Sequence, residues 1–212
     1  MSKRNWIMLL ALVLGLGLSN GFAADDKMET ETSDDTAQPA AAMDDAKMQE
    51  MMKLSAPNEN HKQLEAIVGN WNHTSKWWMA PDTKPEESSG TSVNSWVMDG
   101  RFVKQEYKGQ AMGKPFEGVA YFGYDNIKGE YSSVWMDNMS TTMMTSSLQF
   151  DPATKTFTEE GSFSCPMTME KNRWFRAVMK LVDSDHYTYE MFLKGADGKE
   201  FKNMEINYER AK

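Results

Sequence analysis

A single cysteine in 212 residues excludes an internal disulfide, so the fold must be held by its core alone. Histidine is almost as scarce. His61, His73 and His186 stand far apart, no His/Cys spacing matches a zinc site, and no nucleophile motif announces a Ser-His-Asp or Cys-His arrangement. Positive charge is short as well: 23 Lys and Arg against 31 Asp and Glu give a formal charge of −8. With no basic run in the chain, nucleic acid is not an expected partner. Long apolar runs are missing. The longest, Ile7 to Leu18, falls below the ~20 residues that span a bilayer. After Gly69 no segment reads as a helix long enough to carry a parallel crossover, which argues against α/β architectures.

What is present divides the chain in three. Residues 1–23 read as a secretory signal peptide: Lys3 and Arg4 precede the apolar run, and Gly21-Phe22-Ala23 supplies small residues for cleavage. The expected destination is the periplasm or the exterior, with no membrane anchor left after cleavage. Removing Lys3 and Arg4 takes the formal charge from −8 to −10. Residues 24–58 form an acidic, Met-containing arm almost without aromatic or β-branched apolar residues. Such a segment buries too little surface to offset its ordering entropy, so it is expected to be disordered and dispensable for folding. Within it Asp44 to Leu54 has the pattern of a transient helix, with Met48, Met51 and Met52 on one side. Residues 59–212 are one domain's worth of chain.

That domain opens with a short helical pattern, Leu64, Ile67 and Val68, stopped by Gly69. The period then changes to two. About ten strands are expected: Asn70–Met79, Thr91–Met98, Arg101–Lys108, Phe116–Tyr124, Tyr131–Asp137, Thr142–Phe150, Thr156–Phe163, Trp174–Val182, Tyr187–Lys194 and Phe201–Arg210. Asp99-Gly100 reads as a two-residue hairpin turn. Short turns throughout favour an all-β, antiparallel up-and-down barrel over a sandwich, because closure removes the sheet edges. Closure would set the first strand beside the last and bring Arg210 over the ring of Trp71. Alternation then turns Trp71, His73, Ser75 and Trp77 inward, with Val103, Gln105 and Tyr107, with Phe175, Ala177, Met179 and Leu181, with Tyr187, Tyr189, Met191 and Leu193, and with Met204, Ile206, Tyr208 and Arg210. Asn203 is placed outward. This interior, aromatic and Met-rich with a few polar groups, is the usual lining of a small-molecule pocket.

Several segments together resemble a known family. They are Val68-Gly69-Asn70-Trp71, Trp96-Val97-Met98-Asp99-Gly100-Arg101-Phe102, Gly113-Lys114-Pro115-Phe116-Glu117-Gly118, Gly123-Tyr124-Asp125-Asn126, Trp135-Met136-Asp137-Asn138-Met139, Gly198-Lys199-Glu200-Phe201-Lys202 and Tyr208-Glu209-Arg210. From Gly69 to Arg210 the chain is similar to the domain-of-unknown-function 1579 family. The resemblance implies a calycin-like (lipocalin-like) barrel and brings no assigned activity. More distantly the domain is similar to the nitrobindin-like barrels, which bind haem. That likeness implies an axial histidine, for which His61, His73 and His186 are the candidates.

The first functional reading is therefore an exported barrel holding a small, largely apolar molecule. Trp71 and Arg210 sit at the closed end, Trp77, Tyr107, Trp135, Phe175, Tyr189, Met191 and Tyr208 line the cavity, and His73 or Gln105 orients a polar group. A second reading uses the 19 methionines. Thioether suits Cu(I), and Cys165, Met167 and Met169 alternate in a strand-like segment, so a soft-metal or oxidant-scavenging protein is the alternative. Cys165 itself is expected in the Pro-containing turn after the seventh strand. A third reading is an enzyme with carboxylates at the barrel mouth, Glu117 and Asp137.

Overall fold

Period-two alternation from Gly69 to Arg210 resolves into ten antiparallel strands that close on themselves in the order β1-β10-β9-β8-β7-β6-β5-β4-β3-β2. The strands are β1 Gly69–Trp77, β2 Glu86–Val97, β3 Phe102–Ala111, β4 Lys114–Asp125, β5 Glu130–Asp137, β6 Met144–Asp151, β7 Thr156–Cys165, β8 Glu170–Leu181, β9 His186–Lys194 and β10 Glu200–Arg210. This computed structural model describes residues 44–212. The expected signal peptide, residues 1–23, and most of the expected arm lie outside the described residues.

Each strand pairs with its sequence neighbour, and β1 pairs with β10 from Trp71↔Arg210 to Trp77↔Met204. The seam is built by local chemistry. The Arg210 guanidinium lies 4.2 Å from the centre of the Trp71 ring. Its Nη1 donates to the Val68 carbonyl at 2.9 Å and its Nε to that of Ser184 at 2.9 Å. Beneath it Trp71 Nε1 donates to the Ile67 carbonyl at 2.9 Å. Gly69 makes the approach possible. Its φ is +132°, and a Cβ there would stand 2.3 Å from Arg210 Nη1. The Gly-x-Trp and the terminal Arg are thus one structural unit.

The end of the barrel that holds Trp71 is stoppered by α2 (Glu59–Gln63) and a 3-10 turn (Leu64–Ile67), which bury His61, Leu64 and Ile67. Asn58 and His61 cap α2 reciprocally. Upstream, α1 (Asp45–Leu54) buries no residue. The chain between the two helices is nonetheless tied to the barrel. Asn126 Nδ2 donates to the carbonyls of Leu54 and Ala56, Asn58 donates to Asn126 Oδ1, and Arg101 Nε donates to the Ser55 carbonyl. Ordered structure therefore reaches back into the expected arm, and the exposed segment 54–58 is hydrogen-bonded to the barrel.

Strand ends differ from the expected ones where partner length decides. β2 starts at Glu86 rather than Thr91, because it pairs along all of β1, with Trp77↔Glu86. β8 likewise begins at Glu170, held there by Cys165↔Glu170. Asp99-Gly100 is not a two-residue turn. Val97↔Phe102 closes a four-residue connection in which Met98, Asp99 and Gly100 all have positive φ. The two-residue turn is Met112-Gly113, between Ala111 and Lys114, with both φ positive. Asn203 is buried rather than outward, because a bulge between Lys202 and Met204 shifts the face, and its Nδ2 donates to the Trp78 carbonyl at 2.7 Å.

Candidate functional site

Small side chains on the inner face keep this barrel hollow. Ser75, Ser133, Ser146, Ala120, Ala177, Gly118 and Gly161 all occupy inward positions. Gly118 is required by close packing, because a Cβ there would lie 2.2 Å from the Trp135 ring, which rests across it. The result is a cavity of about 440 Å³, a volume typical of sites for small molecules.

The mouth faces the end opposite the helical stopper, where Met79, Met112, Met139 and Met167 stand on the connections around it. All four are about half exposed. Deeper, the wall is aromatic. Tyr107 meets Phe116 and Trp135 edge-on, Phe116 stacks on Trp135, and Phe163 packs on Phe175. Eight of the chain's 19 methionines reach the cavity, which suits a lining that adapts its shape.

Of the residues expected at the site, Trp77, Gln105, Tyr107, Trp135, Phe175, Tyr189, Met191 and Tyr208 line this cavity. Trp71 and Arg210 form the closed-end seam, where they were expected, and lie outside the lining. His73 is buried behind the wall, stacked on Tyr107 at 4.1 Å, with Nε2 at the Lys108 carbonyl and Nδ1 at the Tyr107 hydroxyl. Burial holds its pKa below the ordinary value, against hydrogen bonds to the backbone at Lys108 and Thr91. His73 is therefore a strut for Tyr107 rather than a group facing a ligand. Burial also raises the Tyr107 phenol to about 12, so this ring is a neutral donor.

A polar network links the wall to the closed end. Ser92 Oγ donates to Asn94 Oδ1, Gln105 Nε2 donates to Ser92 Oγ, and Asn94 Nδ2 donates to the Ile67 carbonyl. A second polar cluster is missing from the sequence reading. Glu159, on the inward face of β7, is 6% exposed and lines the cavity. Its Oε1 accepts from Ser133 and Ser146, and its Oε2 from the Tyr189 hydroxyl at 3.2 Å. The Tyr189 phenol is held far above its usual range by burial, then by the adjacent carboxylate. Continuing the period-two register along Thr156–Cys165 would have found Glu159 inside.

No histidine lines the cavity. His61 is in the α2 cap and His186 is on the surface against Asp183, so the arrangement does not fit a histidine-held haem there. Cys165 ends β7 rather than following it, and residues 166–169 form the turn, so alternation does not extend to Met167 and Met169. Cys165 and Met167 reach the rim, whereas Met169 is 83% exposed and off the lining. Burial pushes the Cys165 thiol up, but hydrogen bonds from Thr168, Arg173 and the Met167 amide outweigh it and lower the pKa. At the mouth the Asp137 carboxylate is engaged, Oδ2 by Trp135 Nε1 and Oδ1 by the Met139 and Ser140 amides. Glu117 is exposed on β4 and outside the lining.

Solved structures share this architecture. Rv2717c from M. tuberculosis matches with a TM-score of 0.58 at 14% identity, over 74% of this chain and 100% of that one. The S-type phycobiliprotein lyase CPES from Guillardia theta matches with a TM-score of 0.52 at 10% identity, over 76% and 97%. At these identities the likeness shows the fold alone. No functionally curated protein matches the sequence. A family model described as a protein of unknown function, DUF1579, matches residues 56–210, and the chain belongs to that family.

Proposed function

We propose that the barrel is a container for a small, largely apolar molecule. The observation that carries this reading is the cavity of about 440 Å³, walled by aromatic rings and methionines and stoppered at one end. A barrel whose role was purely structural would fill its interior with large side chains. Here small residues hold the middle of the wall back. That a phycobiliprotein lyase shares the fold is consistent with such a role, without naming a ligand for this chain.

The test is uptake of N-phenyl-1-naphthylamine, a neutral apolar fluorophore. Trp77→Ala and Tyr189→Ala each remove a large aromatic contact from the wall and should weaken uptake about tenfold, corresponding to roughly 1.5 kcal/mol. Cys165→Ser, a near-isosteric change at the rim, should leave it unchanged. Failure of the wild type to take up the probe would sink the reading. We also propose export: protein recovered from a periplasmic or culture fraction should begin after Ala23, and mass spectrometry of its N-terminus decides this.

A further inference from the structure

We propose that the cavity selects a cationic ligand, an apolar molecule carrying a protonated amine, and that Glu159 receives the amine. This rests on the container reading and deepens it.

Glu159 is 6% exposed, and among the described residues no Lys, Arg or His forms an ion pair with it. Burying a carboxylate without a cation is costly, and neutral hydroxyls only partly replace water. The charged residues of the lining make the imbalance general: Glu86, Asp137 and Glu159 face a single guanidinium, Arg173. That guanidinium is occupied at the rim, with Nη1 on Cys165 Sγ and Thr168 Oγ1 and Nε 3.5 Å from Glu170.

Geometry gives the carboxylate a direction. Both serines converge on Oε1, leaving Oε2 with only the long Tyr189 contact and free acceptor capacity. Glu159 lies in the half of the barrel towards the stopper, since β7 runs from Thr156 at that end to Cys165 at the mouth. Towards the mouth, one inward position on from Ser133 and Ala177, stand Trp135 and Phe175. A ligand entering amine first would set its charge on Glu159 among the rings of Trp135, Phe175 and Tyr189, whose π faces also favour a cation. Its apolar body would fill the methionine-lined region above. The deep position excludes an anionic headgroup.

Displacement of N-phenyl-1-naphthylamine by octylamine, 1-octanol and octanoate at pH 7.5 tests this on the wild type and Glu159→Gln. The wild type should bind octylamine at least tenfold more tightly than octanol, with octanoate weakest. Glu159→Gln keeps the shape, its far-UV circular dichroism reports that it has folded, and displacement is referred to the variant's own fluorophore affinity. In that variant the gap between amine and alcohol should close. Equal binding of amine and alcohol by the wild type would overturn the proposal while leaving the container intact. So would an amine preference that survives Glu159→Gln. If neither the fluorophore nor any of the three amphiphiles binds, the container reading fails first and the proposal with it.

Discussion

Removing Arg210 should open the seam, and the structure says by how much. Its guanidinium donates to two backbone carbonyls and covers the Trp71 ring at 4.2 Å, with the side chain one-third exposed. Charge-assisted hydrogen bonds and a partly exposed cation–π contact together contribute about 2–3 kcal/mol. Arg210→Ala should therefore lower the thermal midpoint by about 5–10 °C for a domain of this length. Arg210→Lys should recover less than half, because an ammonium cannot donate in two directions while lying flat on an indole. Gly69→Ala attacks the same unit from below. It forces a side chain into positive φ, at about 1–3 kcal/mol, and drives the guanidinium off its partners. Once the guanidinium is displaced, deleting it removes nothing more. The double variant should therefore be about as unstable as Gly69→Ala alone, a coupling of about 2–3 kcal/mol in a double-mutant cycle measured by urea unfolding. Additivity to within about 0.5 kcal/mol would show that Gly69 and Arg210 act independently, and would refute the account of the seam.

Other outcomes follow from the same geometry. Gly118→Ala should displace the Trp135 ring into the cavity and reduce fluorophore uptake at least fivefold, read by titration, with no comparable effect from an exposed glycine such as Gly113. Burial holds the pKa of His61 and His73 below the ordinary histidine value, with the Arg101 charge adding to the effect at His61. The unfolded chain thus binds more protons, so stability is full above about pH 6.5 and falls as pH drops through the folded pKa values. The thermal midpoint should decline between pH 7.5 and 5.5, and His73→Gln should flatten that slope; an unchanged slope would place the protonation elsewhere. Deleting residues 24–43 should leave the midpoint unchanged. Deletion through residue 58 should lower it by several degrees, because Arg101 and Asn126 then lose their partners.

The parts of this molecule legible in the sequence are those where one local rule had no competitor. Ten strands, their order and the Trp71–Arg210 seam follow from alternation, short turns and the need to close an edge. Strand ends were less legible, because β2 extends to Glu86 only through its pairing with β1, a partner that its own residues do not specify. Asn203 shows the same limit at one residue: a bulge changes which face a side chain takes, and nothing in Phe201 to Arg210 announces it. His73 shows another. Its inward position was readable, but Tyr107 lies over it, and that stacking depends on two strands.

Glu159 marks the deeper boundary. Residue type argues that a glutamate belongs outside, and strand parity argues that this one belongs inside. Parity wins because a one-residue slip of β7 would turn Phe157, Phe163 and Cys165 out to solvent together with it. The cost of burying one carboxylate is smaller than the cost of exposing that face, and Ser133, Ser146 and Tyr189 reduce it further. A stable fold alone would be served as well or better by an apolar residue of similar size at 159, since buried polar groups seldom outperform well-packed apolar ones. Glu159→Met is therefore the decisive comparison. If the variant is more stable than the wild type in urea yet loses its preference for octylamine, the carboxylate is there for the ligand and not for the barrel. If the variant unfolds, Glu159 is a structural strut and the selectivity of the cavity must be sought at the rim.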